Sequence, residues 1–248
     1  MYVFSHHTEC VTNRSFPSEF PLADDDSSLF SLCLALITLS PILLMASYAA
    51  LAVQTREFLV ITMWAGQFFG ELLNWVIKHS IKQDRPIENI GNGYGFPSSH
   101  SQYMAYFTSF LVCHLYSRHR FSSCGIPALD FLFRSAVYVA LLAWTGLVAY
   151  SRYYLGYHNA HQILWGLGIG TVLGTTLYIV AQAIPSQYPT SPLGRVKTSL
   201  LNNPVIVWLQ IRDGWTVWPD GGREAEWIRW REEWKKQQKI ATTKTKTR

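Results

Sequence analysis

Five apolar stretches, separated by short polar segments, organise the middle of this chain. Residues 29–53 carry no charged side chain, a run long enough to cross a hydrocarbon core of about 30 Å as a helix. The next stretch, 58–77, contains a single acid, Glu71, and is followed by a polar, Gly/Pro-containing loop from Lys78 to near Gly95. A third apolar stretch runs from Ser101 to near Tyr116, a fourth covers 135–150, and the fifth, 159–184, is again free of Asp, Glu, Lys and Arg. The pattern predicts an all-α, multi-pass transmembrane bundle of about five spans. The third and fourth are the shortest. A transmembrane domain at 29–184 is then flanked by an acidic segment at 1–28 and a basic tail at 185–248. The first apolar run begins only after the acidic segment, so no cleavable leader is expected.

Beyond Pro185 the pattern changes. Residues 200–218 mix apolar and aromatic groups with Asn202-Asn203-Pro204 and Arg212-Asp213, too interrupted for a span. They read as an interfacial segment with Trp208, Trp215 and Trp218 at headgroup level. The stretch 223–239, rich in Arg, Lys, Glu and Trp, reads as a helix, either a solvated face with an aromatic stripe or a basic membrane-surface helix. The final residues, with Lys244, Lys246 and Arg248, read as disordered.

Charge adds an orientation. With five crossings, the loop after 58–77 and the loop before 159–184 lie on one side, together with the N-terminal segment. That segment is acidic (Glu9, Glu19, Asp24, Asp25, Asp26), whereas the linker with Arg118 and Arg120 and the tail opposite are basic. The positive-inside rule makes the two loops lumenal or extracellular. Asn13-Arg14-Ser15 is a glycosylation sequon on that side. Composition agrees with a membrane protein: 49% of residues are hydrophobic and only 15% charged, low for a soluble chain. The mean hydropathy of +0.07 is modest because polar ends dilute the apolar middle. Cys10, Cys33, Cys113 and Cys124 show no CxxC spacing, which argues against a zinc site or a disulfide framework. Membrane lipids are the expected surroundings, and no nucleic-acid partner is expected.

The chemistry sits at the ends of these runs. Lys78 and Arg85 lie in one loop, Ser98-Ser99-His100 where the third helix begins, and Ser151-Arg152 before His158 in the other loop. Taken singly, each has an ordinary reading: a Lys or Arg beside a span marks topology, and a membrane His is often a satisfied polar group. Their convergence on one membrane face is what carries weight, since ionisable groups at such depth are costly. A phosphoryl transition state asks for cations and N–H donors around its oxygens. Lys78, Arg85 and Arg152 supply charge, Arg with forked contacts. The first turn at Ser98-Ser99-His100 offers outward amides and the positive end of a helix dipole, and Pro97 suits the start of that turn. Of two imidazoles, an unprotonated one can attack phosphorus and a protonated one can protonate the departing oxygen. No Asp/Glu cluster suited to Mg²⁺ accompanies them, so metal-free chemistry without a cofactor is expected.

This triple pattern resembles the phosphatidic acid phosphatase type 2 superfamily, over roughly residues 58–184. The resemblance implies that Lys78, Arg85, Ser98, Ser99 and Arg152 bind phosphate, that His100 is the general acid and His158 the nucleophile. It also implies that Ser151 helps position the site. Two positions depart from the family pattern. The usual Gly before the first histidine is Ser99, whose backbone N–H serves equally. The usual Asp four residues past the nucleophile is Gln162, which can accept from the ring N–H but brings no charge. His161 lies on the wrong helical face to replace it.

Gln162, with Pro97-Ser98-Ser99-His100-Ser101-Gln102, Asn74-Trp75-Val76-Ile77-Lys78-His79 and Ile211-Arg212-Asp213, is similar to the dolichyldiphosphatase branch. That implies hydrolysis of a polyprenyl diphosphate, dolichyl diphosphate, at the lumenal face of the endoplasmic reticulum, serving protein N-glycosylation. A phosphate leaving group is better than an alkoxide, so a neutral Gln162 does less harm there. Another lipid phosphatase, acting on phosphatidate or a sphingoid phosphate, shares the chemistry. A non-catalytic lipid-binding scaffold is disfavoured by two intact histidines. Glu71 shares a helix face with Asn74 and Lys78. It is expected to be a buried polar partner of Lys78, the sharper alternative being contact with His158 or His100.

Overall fold

Pro41 breaks the first apolar stretch into two helices. In this computed structural model, which describes residues 29–86, 93–121 and 123–246, α1 (Leu29–Ile37) and α2 (Ser40–Thr55) meet at a turn over Thr38 and Leu39. Pro41 has no N–H for the Ile37 carbonyl, and Ser40 Oγ donates to that carbonyl instead, at 2.6 Å. The acidic segment 1–28, the sequon at Asn13 and Arg248 lie outside the described residues.

After α2 come α3 (Phe58–Ile81), α4 (Ser99–Ser117), α5 (Pro127–Tyr154) and α6 (Ala160–Tyr178). A π-helical turn, Ile179–Ala183, carries α6 into α7 (Ile184–Gln187), where Pro185 removes a further N–H. Among the described residues, three stretches are long and apolar enough to cross a membrane: Leu29–Thr55, Pro127–Tyr154 and Ala160–Gln187. The chain is an all-α membrane protein, with Val139, Leu142, Leu164 and Val172 among the large apolar side chains left exposed.

α4, which covers the short third stretch, is enclosed by its neighbours. Six consecutive residues, Ser101–Tyr106, are buried, so the helix has no lipid-facing stripe over that length. A helix enclosed by its neighbours can be polar, provided its polar groups are paired. Gln102 Nε2 donates to Gly70 O (2.7 Å), Asn74 Nδ2 donates to Gln102 Oε1 (2.8 Å) and Tyr106 Oη donates to Met63 O (2.8 Å), all joining α4 to α3. The hydroxyls of Thr108 and Thr145, 2.7 Å apart, join it to α5.

Against α6 the contact is closer still. Gly166, Gly170 and Gly174 face Ser98, Gln102 and Tyr106 in register. A Cβ on these glycines would lie 2.6, 2.2 and 2.5 Å from the facing carbonyl oxygens. The two backbones therefore touch along parallel helices, the close approach that small residues four apart permit. Because both helices start at the same end, this packing brings His100 and His158 to one face.

The opposite end is closed by the tail. α8 (Pro192–Leu201), α9 (Pro204–Trp208) and α10 (Gly214–Val217) return to the start of α3. Glu57 accepts from Arg212 Nε (2.7 Å) and Gly214 N (3.0 Å), and Lys197 pairs with Asp213 at 2.6 Å. Phe58 N donates to Arg212 O (2.8 Å) and Arg212 N to Arg56 O (2.9 Å). Trp215 packs edge-on against His114, centroids 4.7 Å apart, while Trp208 stays 79% exposed. α11 (Arg223–Lys246) also runs past the expected limit of order, taking in Lys244 and Lys246. Its 24 residues contain no Gly or Pro and are rich in Glu, Lys, Arg and Gln.

Candidate active site

His158 is held from both sides of the chain. The last turn of α5 ends at Tyr154, and Gly156, at φ +73°, turns the backbone so that Tyr157 N and His158 N donate to Arg152 O at 3.1 and 3.3 Å. One residue later Asn159 caps α6. Its side chain accepts from Gln162 N (2.9 Å), while Gln162 Oε1 accepts from Asn159 N (3.4 Å), a reciprocal capping box.

Gln162, 0% exposed, determines what the imidazole can do. Its Nε2 donates to Asp84 O at 3.0 Å, which points the amide oxygen at His158 Nδ1, 3.2 Å away. An amide oxygen only accepts, so Nδ1 carries the proton and Nε2 keeps its lone pair. Gly95 leaves room for this arrangement, since a Cβ there would lie 2.8 Å from Gln162 Nε2 and 3.0 Å from Asp84 O. Burial, with Arg152 next in importance, pushes the His158 imidazole down to about 4 against the opposing hydrogen bond from Gln162. At neutral pH the ring is uncharged.

The expected cations surround it. Arg152 is 7% exposed, its guanidinium carbon 3.7 Å above the Tyr157 ring, and its buried Nε has no partner among the described residues. The ring offsets part of the cost of burying the charge, and a donor left over at such a site suits an incoming oxygen. Lys78 projects from the last turn of α3, and Arg85 Nε donates to Gly93 O at 3.2 Å. His158 and His100 both sit in the field of Arg152, Lys78 and Arg85, and His100 also in that of His158.

α4 starts at Ser99 with Ser98 as its N-cap, within the Ser98-Ser99-His100 turn expected, while Pro97 lies one residue before the cap instead of in the first turn. Ser98 is fully buried: its N–H donates to Gln162 O (3.1 Å) and its Oγ accepts from Ser101 (3.0 Å), so it ties the second motif to the third. Ser99 and His100 begin the helix, where N–H groups have no intrahelical acceptor. Ser151 Oγ turns back to Val148 O (2.7 Å), inside its own helix. His161 accepts from Trp165 Nε1 (2.9 Å) and stacks on Phe96, on the face away from His158.

Glu71 reaches neither histidine by a hydrogen bond and forms no ion pair within 4 Å of Lys78 among the described residues, though each feels the other's charge. It lines a cavity of about 460 Å³ that begins at His100 and Ser99 and runs between α3 and α2, past Phe68, Ile42 and Met45. Asp84, Tyr157 and Asn159 are contributors that the motif reading passed over. Only Asn159 left a signal, since Asn-x-x-Gln at a helix start is a capping pattern.

The sequence model of the PAP2 superfamily matches residues 58–185, a stretch containing both histidines and all three cations. Dolichyldiphosphatase 1 of Homo sapiens is 32% identical over 205 residues, 77% of this chain and 83% of its own length. Dolichyldiphosphatase 1 of Dictyostelium discoideum is 34% identical over 196 residues, 77% of each chain. Dolichyldiphosphatase of Saccharomyces cerevisiae is 31% identical over 181 residues, 68% of this chain and 73% of its own. Among solved structures, a transmembrane PAP2-type phosphatidylglycerolphosphate phosphatase from Bacillus subtilis is similar with a TM-score of 0.48 and 23% identity, covering 60% of this chain and 74% of that one. Motifs, family match and similarity over most of both chains agree, and the chain belongs to the PAP2 superfamily, in its dolichyldiphosphatase branch.

Proposed function

We propose that this protein hydrolyses dolichyl diphosphate to dolichyl phosphate and inorganic phosphate. The observation that carries the reading is the Asp84–Gln162–His158 chain of hydrogen bonds, which leaves a neutral imidazole with a free Nε2 lone pair in the field of Arg152. The shared name of the relatives supports the substrate. In this mechanism His158 Nε2 attacks the terminal phosphorus while Lys78, Arg85 and Arg152 hold the equatorial oxygens, joined by the amides at Ser99 and His100. The bond to the bridging oxygen breaks, and His100, which takes up a proton when the anionic diphosphate enters beside it, gives that proton to the oxygen of the departing dolichyl phosphate. His100 then takes a proton from water, which attacks the phosphohistidine, releases inorganic phosphate and restores His158. Gln162 orients the ring without neutralising the imidazolium, which suits a phosphate leaving group better than an alkoxide. Ser98 and Ser151 serve as struts, and Glu71 as a wall of the lipid-side cavity.

The same reading has five crossings at 29–55, α3, α4, α5 and α6–α7, with the site at the lumenal face of the endoplasmic reticulum membrane and the tail from 185 on the cytosolic side. There the enzyme returns the lipid carrier to protein N-glycosylation. Phosphate release by the purified protein from dolichyl diphosphate, measured beside phosphatidate, tests the substrate: faster release from phosphatidate would overturn it. Protease added to sealed microsomes tests the orientation, which requires a C-terminal tag to be removed and an N-terminal one spared.

A further inference from the structure

At the end of the bundle opposite His158, α4 and α5 part around a cleft of about 570 Å³. Tyr116 of α4 and Tyr138 of α5 form its walls, and His119, Arg120 and Phe121 of the connecting segment close it. Arg134 of α5 enters the cleft with its guanidinium carbon 5.9 Å over the Phe121 ring. Neither Arg120 nor Arg134 has an ion pair among the described residues. Asp130, one turn before Arg134, spends its carboxylate on Cys124 N (2.9 Å) and Ser123 Oγ, although its charge is felt at Arg134. The cleft therefore presents two guanidinium groups among aromatic rings and hydroxyls, with no acid bonded to them. None of these residues belongs to the site around His158.

Depth says what meets them. Arg134 lies eighteen residues before Arg152 on one unbroken helix, with no charged residue between. At 1.5 Å per residue that is about 27 Å, close to the thickness of a hydrocarbon core, about 30 Å. If Arg152 stands at one headgroup boundary, Arg134 stands at the other. Exposed Val139 and Leu142 continue an apolar face on the same helix. The occupant needs a phosphate at the level of the guanidinium groups and acyl chains along that face. A free phosphate ion satisfies only the first requirement.

We propose that this cleft binds the headgroup phosphate of an anionic phospholipid from the leaflet opposite His158. Arg120 and Arg134 make forked contacts to the phosphate oxygens, and the aromatic walls sit where such rings favour the membrane interface. A basic pocket between helix ends at the headgroup level is a known physical form of lipid recognition.

The test uses the full chain, purified in detergent and delipidated, with bound lipid read by native mass spectrometry during titration with phosphatidylglycerol or phosphatidylcholine. Each guanidinium near a charged headgroup is worth about 1 kcal/mol, roughly fivefold in affinity. Phosphatidylglycerol should be preferred about 25-fold, about fivefold after Arg120→Gln, and not at all after Arg120→Gln/Arg134→Gln. Arg229→Gln/Arg231→Gln in α11 should keep the full preference. Should Arg134→Gln disturb folding, Arg120→Gln decides alone, because its side chain is exposed and has no ion pair among the described residues. An unchanged preference in the Arg120 variant, equal retention of both lipids, or displacement of phosphatidylglycerol by equimolar inorganic phosphate would overturn the proposal. Lipid retention is read without turnover, so its outcome is independent of the reaction at His158.

Discussion

Adding one methyl group at Gly170 should separate two helices and switch off a site more than two turns away. A Cβ at this position would lie 2.2 Å from Gln102 O, 3.0 Å from Gln102 C and 2.9 Å from Ala105 Cβ. The obstacle is backbone, so no rotamer change relieves it. An ordinary carbon–oxygen contact needs roughly 1 Å more than is available, and α6 must move away from α4 by about that distance. Overpacking of this kind costs about 1–3 kcal/mol, against which alanine regains up to about 1 kcal/mol of helix propensity. The larger effect is on catalysis. His158 and Gln162 move with α6, His100 with α4, and a misplacement of about 1 Å costs roughly 10²-fold in rate. Gly168, two residues away with nothing within 4 Å of its Cβ position, supplies the control. Phosphate release and Tm should be measured for both variants in the same detergent. Gly168→Ala should keep turnover within about twofold with Tm unchanged or raised, while Gly170→Ala should lose about 10²-fold. If Gly170→Ala retains more than half of the activity with an unchanged Tm, the parallel contact does not set the site geometry.

Three further outcomes follow from the site. His158→Ala should lower turnover by about 10²–10⁴-fold or more while lipid diphosphate still binds through Lys78, Arg85 and Arg152; near-normal hydrolysis would sink the mechanism. Gln162→Ala should cost less than His158→Ala, because it removes the ring's orientation and the link to Asp84 O rather than the nucleophile, and Gln162→Asp should fold and gain on monophosphate substrates relative to diphosphates. A loss at Gln162→Ala as complete as that at His158→Ala would give the amide a role beyond orientation. For pH, the imidazole of His158 is held down to about 4, so its inactive protonated form accumulates only as pH falls towards that value. The acid limb of kcat/KM should thus fall well below the ordinary histidine value of about 6.5, and a limb centred at 6.5 or above would show that His158 is more solvated than its 3% exposure implies.

Much of this molecule is legible in the order of its residues. Uncharged runs as long as 29–53 and 159–184 have few alternatives to membrane helices, because unpaired backbone cannot be left in hydrocarbon. Two helices, an even number, separate the loop with Lys78 and Arg85 from the one with Arg152 and His158, so the chain returns to the same side, and the residue types then suggest the chemistry. The helix start at Ser99 and the neutral substitution at Gln162 are also visible in one dimension. Other features depend on contacts between residues far apart in sequence. No local pattern says that α4 is enclosed, or that its polar residues bond to α3 and α5. Nothing near Gln162 announces Asp84 O, 78 positions away, which turns the amide so that its oxygen meets His158 Nδ1. Likewise Glu57 and Arg212 are 155 residues apart, and no local pattern says that Trp215 meets His114 where that pair closes the end of the bundle. Periodicity and charge record how each segment meets its solvent. Which buried polar groups meet each other is decided only when the helices pack, because a donor in hydrocarbon takes whichever acceptor the fold brings within reach.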